Sequence, residues 1–533
     1  MSRGLSISTP KNKSHIGSFL SPGFILGMQR SAEGYLPLGG GFSSRVISST
    51  RPVSLWGLVA LIFFSVSGGP FGSESSIAEG GPFWALVGFS LFPFVWCIPE
   101  ALMTGELSSL FPGNSGFTSW ITASFNSPFL GYIEGFCSFL STAANSAVYP
   151  HLFKSYVSVH IPLMASPGYG IVGMLIFITL NSYVNYRGLD VVSSLGIVLL
   201  IFILAPFGLM AVMSIESVNT TNWLIGLHHP PTIGSPELIA LFNVLFWNLN
   251  NWDAISTIAG EVSNPRKVIP KAMIVSLFVT TLAYLVPLAV GSGLVENPSD
   301  YDWSLWQPGY FQVVAQSVGG SWLSLWILLA SSVSTIGQFQ ALISSCAYQV
   351  EGMADLGWLP QWFATQSKHE TPIVGLSLAL VIVFGMLPFE FIDILQYLNV
   401  VYACAELLEF AAFLNLRYHY GDVPRPFKIP LGFTGCCILM IAPFCFLLSI
   451  IALPFVSGRW DVVGVLLASL IGAIVSYQIL ELLRRTGACR FSRDPPRDIE
   501  EVVAFHKTPG ASLSRSISML LSRTTRKSQD NSP

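Results

Sequence analysis

The residues best suited to chemistry in this chain are two carboxylates, each set at a break in an otherwise apolar segment. Glu74 follows Ser67-Gly68-Gly69-Pro70-Phe71-Gly72, and Asp253 closes Asn248-Leu249-Asn250-Asn251-Trp252-Asp253. An ionised carboxylate only accepts hydrogen bonds, so it suits an ammonium group, and an aromatic face adds cation–π attraction. Phe71, Trp247 and Trp252 stand close by in sequence as candidate walls, with ordinary packing as their other reading. The backbone of the first break offers the opposite chemistry. The N–H groups of Gly68, Gly69 and Gly72 can cradle an anion such as an amino-acid carboxylate. Pro70 removes one donor from that nest and tilts the balance toward a cation. Glu74 also has a reading that needs no ligand, as a cap on the half-helix beginning near Ser73.

Further polar groups lie within apolar segments. Glu100, Glu106 and Glu134 are candidate proton carriers, since intramembrane acids commonly form proton relays; structural hydrogen bonding is the alternative. Asn145 and Tyr149 can line a site or bond between helices, and Ser331, Ser332, Ser334 and Thr335 can ligate sodium or simply let helices approach. Glu261, near Arg266 and Lys267, reads as a gate or structural ion pair. The eight cysteines form no CxxC or Cys/His pattern, so neither a metal site nor a disulfide framework is expected. No HExxH, GxSxG or Cys/His arrangement suggests an enzyme, and no cofactor motif occurs. A net charge of −3 gives no reason to expect nucleic acid as a partner.

The elements that must position these groups are membrane helices. The chain of 533 residues is 52% hydrophobic and 10% charged, far below the roughly 25% charge of a soluble domain. Segments of about 20 apolar residues recur about twelve times. They fall near 53–78, 82–110, 128–157, 167–184, 189–215, 236–262, 268–292, 321–349, 372–388, 391–416, 432–455 and 461–483. Broken backbone at bilayer depth is tolerated only where it is buried in protein or lines a cavity. Spans one and six are both broken, and they lie five apart. Corresponding breaks in two halves are the mark of an inverted-repeat secondary transporter with its site at the repeat interface; unrelated packing kinks are the alternative. The expected fold is therefore all-α and polytopic, a five-plus-five inverted repeat with two extra helices.

Residues 1–51 and 486–533 read as disordered tails around a membrane domain at 52–485, and no cleaved leader is expected. Arg187, Arg266, Lys267, Lys271, Lys368, Arg417, Arg425 and Lys428 fall on one side of the predicted topology, whereas Glu216, Glu296, Asp300 and Asp302 dominate the other. The positive-inside rule then puts both termini in the cytoplasm. Asn219-Thr220-Thr221 is a glycosylation sequon in a loop this topology places outside. Plasma membrane is the expected location, and nothing in the sequence sets the oligomeric state.

Several stretches together resemble the amino acid–polyamine–organocation superfamily, and more narrowly the plant- and protist-type polyamine:proton symporters. They are Gly68-Gly69-Pro70-Phe71-Gly72 with Glu74, Ile98-Pro99-Glu100, Gly105-Glu106-Leu107, Glu134-Gly135-Phe136, Tyr149-Pro150, Asn185-Tyr186-Arg187-Gly188, Trp252 to Val262, Leu408-Glu409-Phe410, and Pro424 to Pro430. The resemblance covers roughly residues 52–485. It implies a carrier of small organic cations driven by protons, with an amino acid permease or a non-transporting nutrient receptor as alternatives. Three positions depart from the family pattern. Ser138 stands where a Lys is usual, Asn145 where an Asp is usual, and Glu406 in span ten where an apolar residue is usual.

Overall fold

The computed structural model describes residues 55–110, 116–187, 196–253, 265–369, 371–421 and 427–497. Among these residues the secondary structure is helical, in the order α1 (Leu55–Val66), α2 (Ser75–Phe92), a π-helical turn (Pro93–Cys97), α3 (Ile98–Leu110), α4 (Gly116–Phe125), α5 (Pro128–His160), α6 (Pro167–Tyr186) and α7 (Gly196–Ser214). There follow α8 (Pro236–Leu249), α9 (Pro265–Gly293), α10 (Tyr310–Gly319), α11 (Ser321–Asp355), α12 (Ile373–Met386), α13 (Phe391–Tyr420), α14 (Phe433–Ser457) and α15 (Trp460–Thr486). Each span expected from the sequence has its helix, and eight of the described helical stretches are long and apolar enough to cross a membrane. Exposed large side chains on the outer helices are apolar, including Leu180, Ile201, Phe278, Val381, Ile441 and Ile471. Lipid is the solvent that such faces require.

The first expected span comprises α1, the break and the start of α2. It ends at Gly81, whose φ of +72° bends the chain before Pro82 opens the second span. Helix α5 is the central element and packs against both α11 and α13. At 33 residues it is about 50 Å long. It carries polar side chains at its middle because protein, not lipid, surrounds them: Ser141, Asn145, Ser146 and Tyr149 are all buried. Helix α1 packs on α9 and α2 on α8, so the first two spans lie against the sixth and seventh, and Gly72 of the first break meets Trp247 of the sixth span.

Two helices were not expected. Helices α4 and α10 have ten residues each, roughly 15 Å, too short to cross a bilayer. Helix α4 is wedged between α5 and α13, where Ser124 Oγ donates to Ala412 O at 3.3 Å and Asn415 Nδ2 to Ser124 O at 2.8 Å. The start of the expected C-terminal tail is also packed. Gly487, at φ +67°, turns the chain back after α15. Ser492 Oγ then donates to Ala354 O at 2.7 Å, Gln361 N–H donates to Arg490 O at 2.8 Å, and Pro495 and Pro496 are buried. The remaining tail residues lie outside the described residues.

Candidate functional site

The first break follows from its glycines. Gly68, Gly69 and Gly72 have φ of +64°, +126° and +88°, conformations in which a side chain is strained. There is also no room for one. A Cβ on Gly68 would sit 2.0 Å from Gln338 of α11, and one on Gly72 would sit 2.8 Å from the Trp247 ring. Ser334 Oγ, also on α11, donates to Gly68 O at 2.6 Å. We expect Gly72→Ala to cost about 1–3 kcal/mol through the imposed backbone strain. The check is thermal unfolding of purified protein in detergent, where an unchanged midpoint would refute it.

The donors of this loop are already engaged. Ser67 N–H and Gly68 N–H both point at Phe63 O, at 2.8 and 3.0 Å. Gly69 N–H donates to Ser67 Oγ at 3.2 Å, and Gly72 N–H to Glu74 Oε2 at 2.8 Å. Glu74 is fully buried; its Oε1 accepts from Tyr156 Oη–H and from Gly309 N–H, the latter at 3.1 Å. The carboxylate thus joins the break to the end of α5 and to the loop before α10. Phe71 is buried edge-on to Tyr156, with ring centroids 5.3 Å apart, and lies 5.7 Å from Phe207.

The second break is held by side chains instead of glycines. Helix α8 stops at Leu249, Asn250 is extended, and Asn251 adopts φ +67°. Asparagine tolerates that region because its short side chain can bond locally. The freed carbonyls find donors on neighbouring spans: Tyr284 Oη–H reaches Asn248 O at 2.8 Å, and Cys97 Sγ reaches Leu249 O at 3.3 Å. The freed N–H groups find an acceptor on α3. Trp252 N–H and Asp253 N–H both donate to Glu100 Oε1, at 2.8 and 3.3 Å. Trp252 is fully buried, its indole donating to Leu249 O at 2.9 Å. Between the two breaks, Trp247 Nε1–H donates to Asn145 Oδ1 at 2.8 Å. Its ring also meets Phe391 edge-on at 5.6 Å and lies 6.4 Å from Tyr149.

The acids gather around Asp253. Carboxylate oxygens of Glu100, Asp253 and Glu406 lie within 4.8 Å of one another, and all three side chains are buried. Tyr402 Oη–H donates to Asp253 Oδ1 at 3.3 Å. Glu134 and Glu409, also buried, stand within electrostatic reach of Asp253. Thr118 of α4 donates to Glu134 Oε2 at 2.9 Å. Two fully ionised carboxylates at 4.8 Å repel by about 3–4 kcal/mol at an effective dielectric of about 20. The group therefore requires protons or a cation among its members; a small metal ion and an ammonium are both chemically suited to three oxygens so placed.

The structure thus brings Glu100, Glu134 and Asp253 together, ranges Gly68, Gly69, Phe71, Asn145 and Trp247 alongside the breaks, and sets Glu74 in its own cradle. Glu106 lies elsewhere. It is buried against Arg417, whose Nη1 approaches its two oxygens at 2.5 and 2.7 Å, and it accepts from Ile429 N–H at 2.7 Å. Its charge is matched by the Arg417 guanidinium, away from the acids around Asp253. Glu261 lies outside the described residues. Asn219 is exposed in the loop after α7, its Oδ1 accepting from Thr221 N–H at 3.1 Å. The residues that sequence reasoning did not place in the site are Glu406, Glu409, Tyr402, Tyr156 and Gly309. The two acids left a signal, being three residues apart in an apolar span. Tyr156 and Gly309 left none, since their role comes from long-range contact.

Helices interrupted at corresponding points of spans one and six, with polar and acidic groups collected at the interruptions, define a broken-helix membrane permease. The chain belongs to the amino acid permease family, whose model matches residues 53–475. It is 38% identical to the rice protein Polyamine transporter PUT1, over 85% of this chain and 83% of that one. It is 36% identical to Polyamine transporter RMV1 of Arabidopsis thaliana, over 84% and 89% of the two chains. A second Arabidopsis protein, Probable polyamine transporter At1g31820, is 38% identical over 80% of this chain and 88% of its own length.

Proposed function

We propose that this protein is a secondary active transporter of polyamines of the putrescine and spermidine class, coupled to protons. The carrying observation is the buried acid group at the second break. Among the described residues, no Lys or Arg lies within ion-pair distance of Glu100, Glu134, Glu406 or Glu409. A buried anion without a matching protein cation calls for a mobile one. Asp253 meets a substrate ammonium, with Glu100 and Glu406 beside it, and Trp247 and Phe71 wall the path between the breaks. Protons occupy the acids when the ammonium leaves. Glu100 and Glu134 are the proton carriers in this reading.

The occupied backbone donors of the first break favour this substrate over an amino acid. Gly68, Gly69 and Gly72 N–H groups each have an internal acceptor, so an incoming carboxylate would have to displace a hydrogen bond. The names of the relatives point the same way. On the distribution of Lys and Arg, both termini face the cytoplasm, and the plasma membrane is the proposed location.

Uptake of labelled putrescine and spermidine in a transport-deficient host tests the reading. The expected result is saturable accumulation that rises as external pH falls and collapses with a protonophore. Competition by lysine or leucine instead of putrescine would assign an amino acid permease. Substrate binding without flux would assign a receptor. No uptake despite normal surface expression would overturn the proposal.

A further inference from the structure

Glu406 is fully buried; the Tyr402 hydroxyl stands beside it but donates to Asp253 Oδ1, which leaves neither Glu406 oxygen a donor of good geometry among the described residues. The same holds for Glu100 Oε2, Glu134 Oε1 and Glu409 Oε2. Buried acceptors without donors are uncommon, and each one calls for an explanation. Amide oxygens of Asn250, Gln312, Gln396 and Asn399 also lack a donor, but among the described residues every buried carboxylate oxygen without one belongs to the group around Asp253.

Their arrangement has a direction. Glu406 and Glu409 are three residues apart on α13, so they share a face and are offset by about 4.5 Å along the helix axis. Glu406 stands with Glu100 and Asp253. Glu409 interacts electrostatically with Glu406 and Asp253 and, more weakly, with Glu134, which is anchored at its other oxygen by Thr118. The titratable groups facing this region from the packed spans are these five acids, the Tyr402 hydroxyl and the Cys97 and Cys137 thiols, with Cys404 beside Cys137.

We infer that the group is a two-ended anionic slot for a linear α,ω-diammonium ion, with Glu100, Asp253 and Glu406 taking one ammonium and Glu134 with Glu409 taking the other. This rests on the proposed transport of polyamines and adds how their length and double charge are read. A primary ammonium brings three N–H donors and no acceptor. One such group satisfies the end at Asp253 and leaves Glu134 and Glu409 facing nothing positive. A diammonium supplies donors to both ends, and its two charges are set against acids that extend about 4.5 Å along α13 from Glu406 to Glu409. Specificity against monoamines then comes from acids left uncompensated, not from shape.

The test uses the full-length protein purified in detergent, with putrescine and butylamine as probes of equal carbon number. Thermal stabilisation gives the apparent affinity for each. Putrescine is expected to bind at least about tenfold more tightly than butylamine, the worth of one extra charge-assisted contact set. Glu409→Gln and Glu134→Gln should each reduce that preference about tenfold, while Glu406→Gln weakens both amines and Glu409→Asp restores part of the preference. Size-exclusion profiles identify any variant that fails to fold, and the Asp variant then carries the comparison. A preference that survives both Gln substitutions overturns the slot, as does stabilisation by calcium or sodium with none by putrescine. Failure of putrescine both to bind and to be taken up refutes the transport reading itself, whereas uptake with an unaltered preference refutes only the two-ended slot.

Discussion

Asp253→Asn is expected to lower polyamine uptake by between about tenfold and 100-fold, the range for losing one charged hydrogen bond to a substrate. The substitution keeps the size and shape of the side chain. It also keeps the Asp253 N–H that donates to Glu100, so the helix break has no reason to move. What changes is the charge presented to an ammonium and the balance of the acid group, which keeps two of the three carboxylates gathered within 4.8 Å. The effect should therefore appear in KM for polyamine more than in protein abundance. Uptake kinetics normalised to surface expression measure it. Transport within threefold of the parent would mean that Asp253 does not face the substrate.

Arg417→Met should destabilise the protein by about 3–5 kcal/mol, the usual cost of removing one partner of a buried ion pair. Arg417 and Glu106 are both buried, and the guanidinium also donates from Nη2 to Ile429 O at 2.8 Å and to Leu431 O. The pair ties α3 to α13 and to the segment entering α14. Without Arg417, the Glu106 carboxylate loses both short contacts at a site water does not reach. The double substitution Arg417→Met with Glu106→Gln should recover much of the loss, because a buried ion pair contributes less than its broken half costs. Unfolding midpoints in detergent for the two single variants and the double variant form the cycle. A single Arg417 variant with the parent's midpoint would show that the pair is dispensable.

The architecture was legible in the sequence because lipid imposes a simple rule. Apolar runs of helix length mark spans, and backbone that cannot be helical stands out inside them. Ser67 to Gly72 and Asn248 to Asp253 are such stretches, and both are breaks in the structure. Helices α4 and α10 were not legible because, at ten residues each, they are too short to stand out as spans. Glu106 shows the limit for single acids. Its composition and depth match those of Glu100, yet it is paired with a residue 311 positions away.

What the sequence by itself determined was the membrane class, the position of the spans and the two interruptions, since each depends on local transfer energy and local backbone preference. The carboxylate at each interruption, Glu74 and Asp253, was also plain in the sequence. Only the tertiary structure decided which acids lie together. It separated Glu74, which accepts from Gly72, Tyr156 and Gly309, from the group of Glu100, Glu134, Asp253, Glu406 and Glu409. Electrostatic coupling falls with distance and strengthens where water is excluded. Neither distance nor exclusion is written in residue order, and both are set by the packing of α3, α5 and α13 around the second break.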